Sequence, residues 1–242
     1  MRIDKLLANM GYGSRKDVKK ILKSGKVTVN DNAVKDGKFH VNPDEDAVVI
    51  FGEEVHYREF IYLMMNKPPG VISATEDLRD QTVIDLLDEQ DGVFQPFPVG
   101  RLDKDTEGLL LLTNDGQLAH QLLSPKKDVP KTYFAVIDSP VTNEDIESFM
   151  NGVTLDDGYQ TKPGKLEIIK SGPYSDIELT ITEGKFHQVK RMFEAVGKKV
   201  IYLKRLSMGP LKLDEDLELG EYRELTDEEV GRLKDYVNGQ KA

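Results

Sequence analysis

Gly100-Arg101-Leu102-Asp103-Lys104-Asp105-Thr106-Glu107-Gly108 runs straight into Leu109-Leu110-Leu111-Leu112-Thr113. Four consecutive leucines between polar residues are too few for a helix and read as a buried strand. The two glycines frame a polar loop that turns tightly and lets another segment approach closely. A loop lodged against a buried strand holds its carboxylates on a rigid support, a favourable place for catalysis. Asp103, Asp105, Glu107 and Gly108 also imitate the start of a calcium loop, which wants acids at positions 1, 3 and 5 and glycine at 6. Position 12 should then be glutamate but is Asn114, and the flanks, Pro96-Phe97-Pro98 and the leucine strand, do not suit a helix–loop–helix. No metal is expected.

A second dense stretch is Glu183-Gly184-Lys185-Phe186-His187-Gln188-Val189-Lys190-Arg191-Met192-Phe193. Helical spacing puts Phe186, Val189, Phe193 and Val196 on one face and His187, Lys190, Arg191 and Glu194 on another, with Gly197 as a C-cap. Around these two stretches the patterns predict strands over 60–65, 99–113, 132–137 and 177–182, and helices over 83–87, 117–123 and 143–150. From Asp214 the last 29 residues hold ten acids against four bases and predict a final strand and a short helix. Strands and helices mix without strict alternation, so the fold class is α+β.

The first residues form a different module. Ile3, Leu6, Leu7 and Met10 recur at helical spacing up to Gly11. Ser14 is a good N-cap for a second helix, with Asp17 in its first turn. Val18, Ile21 and Leu22 give that helix an apolar face, and Arg15, Lys16, Lys19, Lys20 and Lys23 crowd the remainder. Val27-Thr28-Val29 and Ala33-Val34 flank Asn30-Asp31-Asn32 as a tight hairpin. A strand over 47–51 follows, and Gly52-Glu53-Glu54 is the best boundary candidate. The expected organisation is a small domain with its linker over 1–59 and a larger domain over 60–242.

Bulk properties narrow the function. Of 242 residues, 38% are hydrophobic and 31% charged, a balance that suits a folded soluble chain. No apolar run approaches the roughly 18 residues needed to cross a bilayer, and Arg2, Asp4 and Lys5 spoil any signal-peptide core. Absence of cysteine excludes disulfides and thiolate metal sites and fits a reducing cytoplasm. Four histidines without cysteine leave little for zinc catalysis, and no P-loop, G-x-G-x-x-G or G-x-S-x-G is present. The net charge is −10, yet residues 1–38 hold ten Lys/Arg against four Asp/Glu, and residues 183–205 hold seven against two. Salt screens exposed charges beyond about 10 Å, so such local patches can bind phosphates on an acidic protein.

Arg2-Ile3-Asp4-Lys5-Leu6-Leu7, Ser14-Arg15-Lys16 and Gly25-Lys26-Val27-Thr28-Val29-Asn30 resemble the S4 RNA-binding domain. Such domains grip folded RNA through phosphates and shape, which points to Arg2, Lys5, Arg15, Lys16, Lys19 and Lys20 as contacts. Lys67-Pro68-Pro69-Gly70, Gly100-Arg101-Leu102-Asp103, Lys131-Thr132-Tyr133 and Gly184-Lys185-Phe186-His187-Gln188-Val189-Lys190-Arg191-Met192 occur in the order expected of pseudouridine synthases. With an S4-like segment ahead, and with Asp115-Gly116-Gln117, Ser124-Pro125 and Thr161-Lys162-Pro163, the chain resembles the branch acting on small-subunit ribosomal RNA.

The resemblance implies a mixed, mainly antiparallel sheet with flanking helices. It implies that Asp103 is the nucleophile and Lys190 its basic partner. Sister branches use arginine there, and lysine gives up the bidentate fork. Tyr133 would stack on the flipped base and help with proton transfer, while Lys67 and Arg101 would shape the pocket or hold phosphates. The basic helix from 186 to 196, with His187 and Arg191, would line the cleft. Reactant and product have the same atoms, so no cofactor or metal is expected. The partner would be small-subunit ribosomal RNA, free or in an assembly intermediate. The alternatives are a synthase for large-subunit RNA and a non-catalytic assembly factor. A monomer in the cytoplasm is the default expectation, the sequence itself being silent on oligomeric state.

Overall fold

The computed structural model describes residues 1–239, which divide into two compact units, 1–61 with 88–96 and 62–87 with 97–239. In the first unit, helices α1 (Ile3–Asn9) and α2 (Arg15–Lys23) pack on strands β1 (Val27–Val29), β2 (Asn32–Ala33), β3 (Val48–Ile50) and β4 (Glu53–Glu54). The strands form an antiparallel sheet in the order β2-β1-β3-β4. Ser14 accepts the Asp17 amide at 3.4 Å and so caps α2 as expected. Ile3, Leu6, Leu7, Val18, Leu22, Val27 and Ile50 are almost wholly buried and make the core. Asn30 and Asp31 both adopt positive φ, as a two-residue hairpin turn of primed type requires.

Two expectations need correction here. Gly52-Glu53-Glu54 is not a boundary: Phe51 and Gly52 turn the chain at φ +55 and +93, and Glu53 and Glu54 return along β3. Two acids on an exposed edge strand look like linker in a sequence, although charge is a common way of protecting an edge. Residues 88–96, which include the short helix α3 (Glu89–Gly92), belong to the first unit, where Arg58 lies 5.2 Å from the Phe94 ring centroid.

The second unit is built on one large sheet. Its strands are β5 (Tyr62–Lys67), β6 (Phe97–Pro98), β7 (Glu107–Thr113), β8 (Lys131–Ile137), β9 (Lys165–Lys170), β10 (Ser175–Ile181), β11 (Val200–Met208), β12 (Leu211–Lys212) and β13 (Tyr222–Glu224). The main path runs β13-β5-β7-β11-β8-β10-β9, with β6 paired to β7 and β12 to β11. Every pairing is antiparallel except β7 with β11. The helices are α4 (Gly116–Leu123), α5 (Asn143–Asn151), α6 (Gln188–Ala195) and α7 (Asp227–Gly239). The architecture is the mixed, mainly antiparallel sheet with flanking helices that the resemblance implies.

The leucine run is β7, and all four leucines are at most 1% exposed. Leu109 and Leu111 pack with Leu118, Leu122, Leu233 and Val237 of α4 and α7. At about 1.5–3 kcal/mol per buried leucine, the run anchors the sheet with roughly 6–12 kcal/mol of burial. The expected strand over 99–113 is interrupted, because residues 100–106 form a loop between β6 and β7. The helix expected over 83–87 is a single 3-10 turn, Ile84–Leu86. The strands β9 and β11 have no counterpart among the expected elements.

Candidate active site

The loop before β7 is held from below. Ser73 Oγ donates to the Leu102 carbonyl and accepts the Leu102 amide, both at 3.0 Å. The Gly70 amide donates to the Lys104 carbonyl at 2.7 Å. Lys67, at the end of β5, is fully buried and its Nζ donates to the carbonyls of Pro68 and Thr106 at 2.9 Å and of Lys104 at 3.4 Å. Burial pushes the Lys67 ammonium down to about 8, against the pull of Asp105 and Asp103. Lys67 therefore shapes the loop, and in this burial it has no access to a phosphate.

On top of this support, Asp103 faces the first turn of α6. Lys190 Nζ lies 3.1 Å from Asp103 Oδ2 and 2.6 Å from Asp105 Oδ1, and His187 Nε2 lies 3.6 Å from Asp103 Oδ1. Burial lowers the Lys190 pKa, but hydrogen bonds to Asp105 and Asp103 outweigh it and hold the ammonium above its ordinary value. A raised lysine contributes stability below its unfolded pKa of 10.5 and loses it as pH rises through the folded value, so this pairing persists across neutral pH. Asp103 and Lys190 side chains are only 24% and 20% exposed, so the pair is desolvated enough to matter.

Tyr133 completes the recess. It is 9% exposed on β8, opposite Leu179 of β10 and Arg205 of β11. It lines the same depression as Arg101, Leu102, Asp103, Thr106, His187 and Leu203. The structure thus brings Asp103, Tyr133, Lys190, Arg101 and His187 into one place. Arg191 points elsewhere: its guanidinium is paired with Asp156 (2.6 Å) and Asp157 (2.7 Å) and is 14% exposed. The helix expected from 186 to 196 starts at Gln188, because His187 at φ +49 is its left-handed N-cap and Phe186 lies outside it.

Some residues of the site were given no role by the sequence reading, although Gln188 and Thr106 lie within its two dense stretches. Gln188 is buried and joins the Lys185 amide (2.8 Å) to Glu183 (2.7 Å), while Glu183 also accepts from Tyr159 Oη (2.7 Å) and from the Lys162 amide (2.9 Å). This network fixes the turn that delivers His187. Its only trace in the sequence is a Glu and a Gln five residues apart. Ser73 drew no attention in the sequence, and Thr106 Oγ1 is buried beneath the recess with no hydrogen-bond partner among the described residues.

Lys131, two residues before Tyr133 on β8, is also buried, and burial together with Arg205 pushes it down to about 8. Its unfolded value is 10.5, so between pH about 8 and 10.5 the unfolded chain binds more protons and stability rises with pH. Lys67 acts in the same direction. Lys131→Met is expected to raise stability at pH 7 by about 2 kcal/mol and to remove roughly half of that alkaline rise. Denaturant unfolding at pH 7, 8, 9 and 10 checks this, and an identical pH profile in the variant would contradict it.

Among the basic residues of the first unit, Lys5, Arg15, Lys16 and Lys19 are exposed on α1 and α2. Lys20 is 3.2 Å from Asp17, and Arg2 donates to Asp4 at 2.5 and 3.0 Å.

Comparison with known proteins identifies the family. The profile of the family described as RNA pseudouridylate synthase matches residues 61–195, and that of the S4 domain matches residues 1–46. The chain belongs to the RNA pseudouridylate synthase family. It is 61% identical over 236 residues to an uncharacterized RNA pseudouridine synthase of Bacillus subtilis (strain 168), covering 97% of this chain and 99% of that one. It is 44% identical over 234 residues to ribosomal small subunit pseudouridine synthase A of Vibrio cholerae, covering 96% and 99%. A crystal structure of a pseudouridylate synthase superposes with a TM-score of 0.68 at 37% identity, covering 96% and 99%. As a member of this family the chain is an isomerase, and its N-terminal unit carries an S4 domain. Among the described residues no helix is long and apolar enough to cross a membrane.

Proposed function

We propose that this synthase converts one uridine of small-subunit ribosomal RNA to pseudouridine, with Asp103 as nucleophile. The observation that carries the reading is the Asp103 carboxylate held 3.1 Å from Lys190 in a recess shared with Tyr133. Asp103 bonds to the nucleoside as the C1′–N1 bond breaks, the base turns, C1′ bonds to C5 and Asp103 is released, while the C5 proton leaves and N1 gains one. Lys190 sets its ammonium beside the attacking carboxylate. Tyr133 offers a ring for the flipped base and an oxygen for proton transfer. Flipping costs a few kcal/mol, of which base–aromatic stacking recovers about 1–3 kcal/mol. Arg101, exposed at the rim, holds a backbone phosphate, and His187 orients beside Asp103. Arg191 serves indirectly, by fixing α6 to Asp156 and Asp157.

The small-subunit target is supported by relatives named for that activity, such as the Vibrio cholerae protein. In this reading a monomer works in the cytoplasm on ribosomal RNA or an assembly intermediate, with the first unit, residues 1–61 and 88–96, as the docking domain and the second unit as the catalytic domain. Arg2, Lys5, Arg15, Lys16, Lys19 and Lys20 contact RNA phosphates. Replacing Lys16, Lys19 and Lys20 by glutamine is expected to weaken binding and to reduce the slope of log affinity against log salt by about 2–3. An unchanged slope in filter-binding titrations would remove this domain from the docking step.

Tritium release from ribosomal RNA labelled at uridine C5 tests the reaction itself, because joining C5 to ribose expels that tritium. About one equivalent from small-subunit RNA is expected. Release only from large-subunit RNA would overturn the target while leaving the chemistry in place.

A further inference from the structure

Phe186 is 72% exposed at the rim of the catalytic recess, although an aromatic ring of that size is normally buried. Its ring stacks on His187 with centroids 3.7 Å apart and planes 19° from parallel, and His187 Nε2 is 3.6 Å from Asp103. The two rings therefore form a short column that begins beside the reacting carboxylate and ends in solvent with one open Phe186 face.

The backbone that carries the column is braced. Arg191 Nη1 donates to the Phe186 carbonyl at 3.3 Å, and the Lys185 amide donates to Gln188 Oε1 at 2.8 Å. The Lys185 ammonium sits 4.4 Å from the Tyr159 ring centroid. The left-handed backbone of His187 turns the chain so that Phe186 stands off the helix rather than packing beneath it. A ring whose backbone is braced and which already stacks on His187 loses less freedom when a partner covers its open face.

The surroundings indicate the partner's chemistry. Phe186 and His187 line a cleft of about 570 Å³ together with Ile72, Arg101, Asp103 and Lys104. Lys104 is paired with Asp80 at 2.6 Å, whereas Arg101 is exposed in the same cleft. A flat aromatic face beside an exposed guanidinium suits a nucleobase and its phosphate. Extrusion of the target uridine leaves its neighbour in the strand without a stacking partner on one side.

We infer that the open face of Phe186 is a second base subsite, which stacks the nucleotide adjacent to the target uridine while Arg101 holds the phosphate between them. The inference rests on the proposed reaction and adds a contact outside the reacting base. Loss of one stacked base is expected to raise KM about 10-fold, with kcat changed less than about 2-fold because the reacting groups are untouched.

The test uses the full-length enzyme and whichever C5-tritiated ribosomal transcript the wild type modifies. Phe186→Leu is expected to show the KM increase, and Phe186→Tyr and Phe186→Trp to restore it. A 2-aminopurine placed on either side of the mapped target reports stacking directly. Its fluorescence is quenched on binding wild type and not on binding Phe186→Leu. Wild-type turnover with unchanged KM and equal quenching in Phe186→Leu overturns the subsite alone. Absence of wild-type release from both ribosomal RNAs overturns the proposed reaction, and the subsite with it.

Discussion

Asp103→Asn is expected to lower the rate of tritium release by at least about 10⁴-fold while changing RNA affinity by less than about 3-fold. The amide keeps the shape of the side chain but has no charge with which to attack. Lys190 would not be stranded, because Asp105 already accepts from it at 2.6 Å, so the variant leaves no unpaired buried cation to disturb the fold. RNA docking is assigned to the first unit and to Arg101 and Phe186 at the rim, whose charge and ring the substitution leaves unchanged. Single-turnover release measured beside filter binding separates the two quantities. Equal loss of both would mean that Asp103 holds the RNA rather than transforming it, and retained turnover would transfer the role to Asp105.

Gly108→Ala is expected to cost about 3–5 kcal/mol of stability and to lower the melting temperature by roughly 10 °C. Gly108, the second residue of β7, has φ +100, and a Cβ there would lie 2.3 Å from the Arg205 carbonyl oxygen and 2.8 Å from its nitrogen. Those are backbone atoms of β11 in the one parallel pairing of the sheet, so neither strand can give way without breaking the ladder. The strained φ adds to the clash. Gly116→Ala is the matched control, because a Cβ there meets nothing within 4 Å, and its effect should stay within about 0.5 kcal/mol. Thermal unfolding of both variants decides the matter. A Gly108→Ala protein as stable as the control would show that β7 and β11 can separate freely at this point.

How far the fold was legible depended on where each residue's neighbours lie. The run Leu109–Leu112 could be read directly because a central strand is covered on both faces, and covering needs no particular partner. α2 was equally plain, since Ser14, Asp17 and the apolar spacing are all local. The strand β11 was hidden because Lys204 and Arg205 sit where its continuity would show, and Arg205 is buried only because it reaches the Leu109 carbonyl at 2.7 Å. β9 lies at the sheet edge with mostly exposed side chains and carries too little apolar alternation to stand out. At the site, Asp103, Tyr133 and Lys190 entered through resemblance of motifs. Their convergence is a matter of topology, which spacing along the chain does not disclose. The brace at Ser73 is a single polar residue defined by a distant partner, Leu102, and no local pattern marks it, while Gln188 lies in a quoted motif whose spacing does not disclose its bonds to Lys185 and Glu183.

The place of β11 has a consequence for how the enzyme comes into being. β7 and β8 are successive strands of the sheet in sequence, yet they do not pair, because β11 lies between them. Asp105 and Lys190, 85 residues apart, likewise meet only once that gap is closed. During synthesis the N-terminal unit can begin to order early, but the catalytic sheet remains split until residue 208 has emerged. Pairings of such long range are slow to form, and the strand edges they leave open invite mispairing. A chain cut short before β11 therefore has an RNA-docking module without a catalytic centre. Competence appears late and all at once, when the last central strand enters its slot.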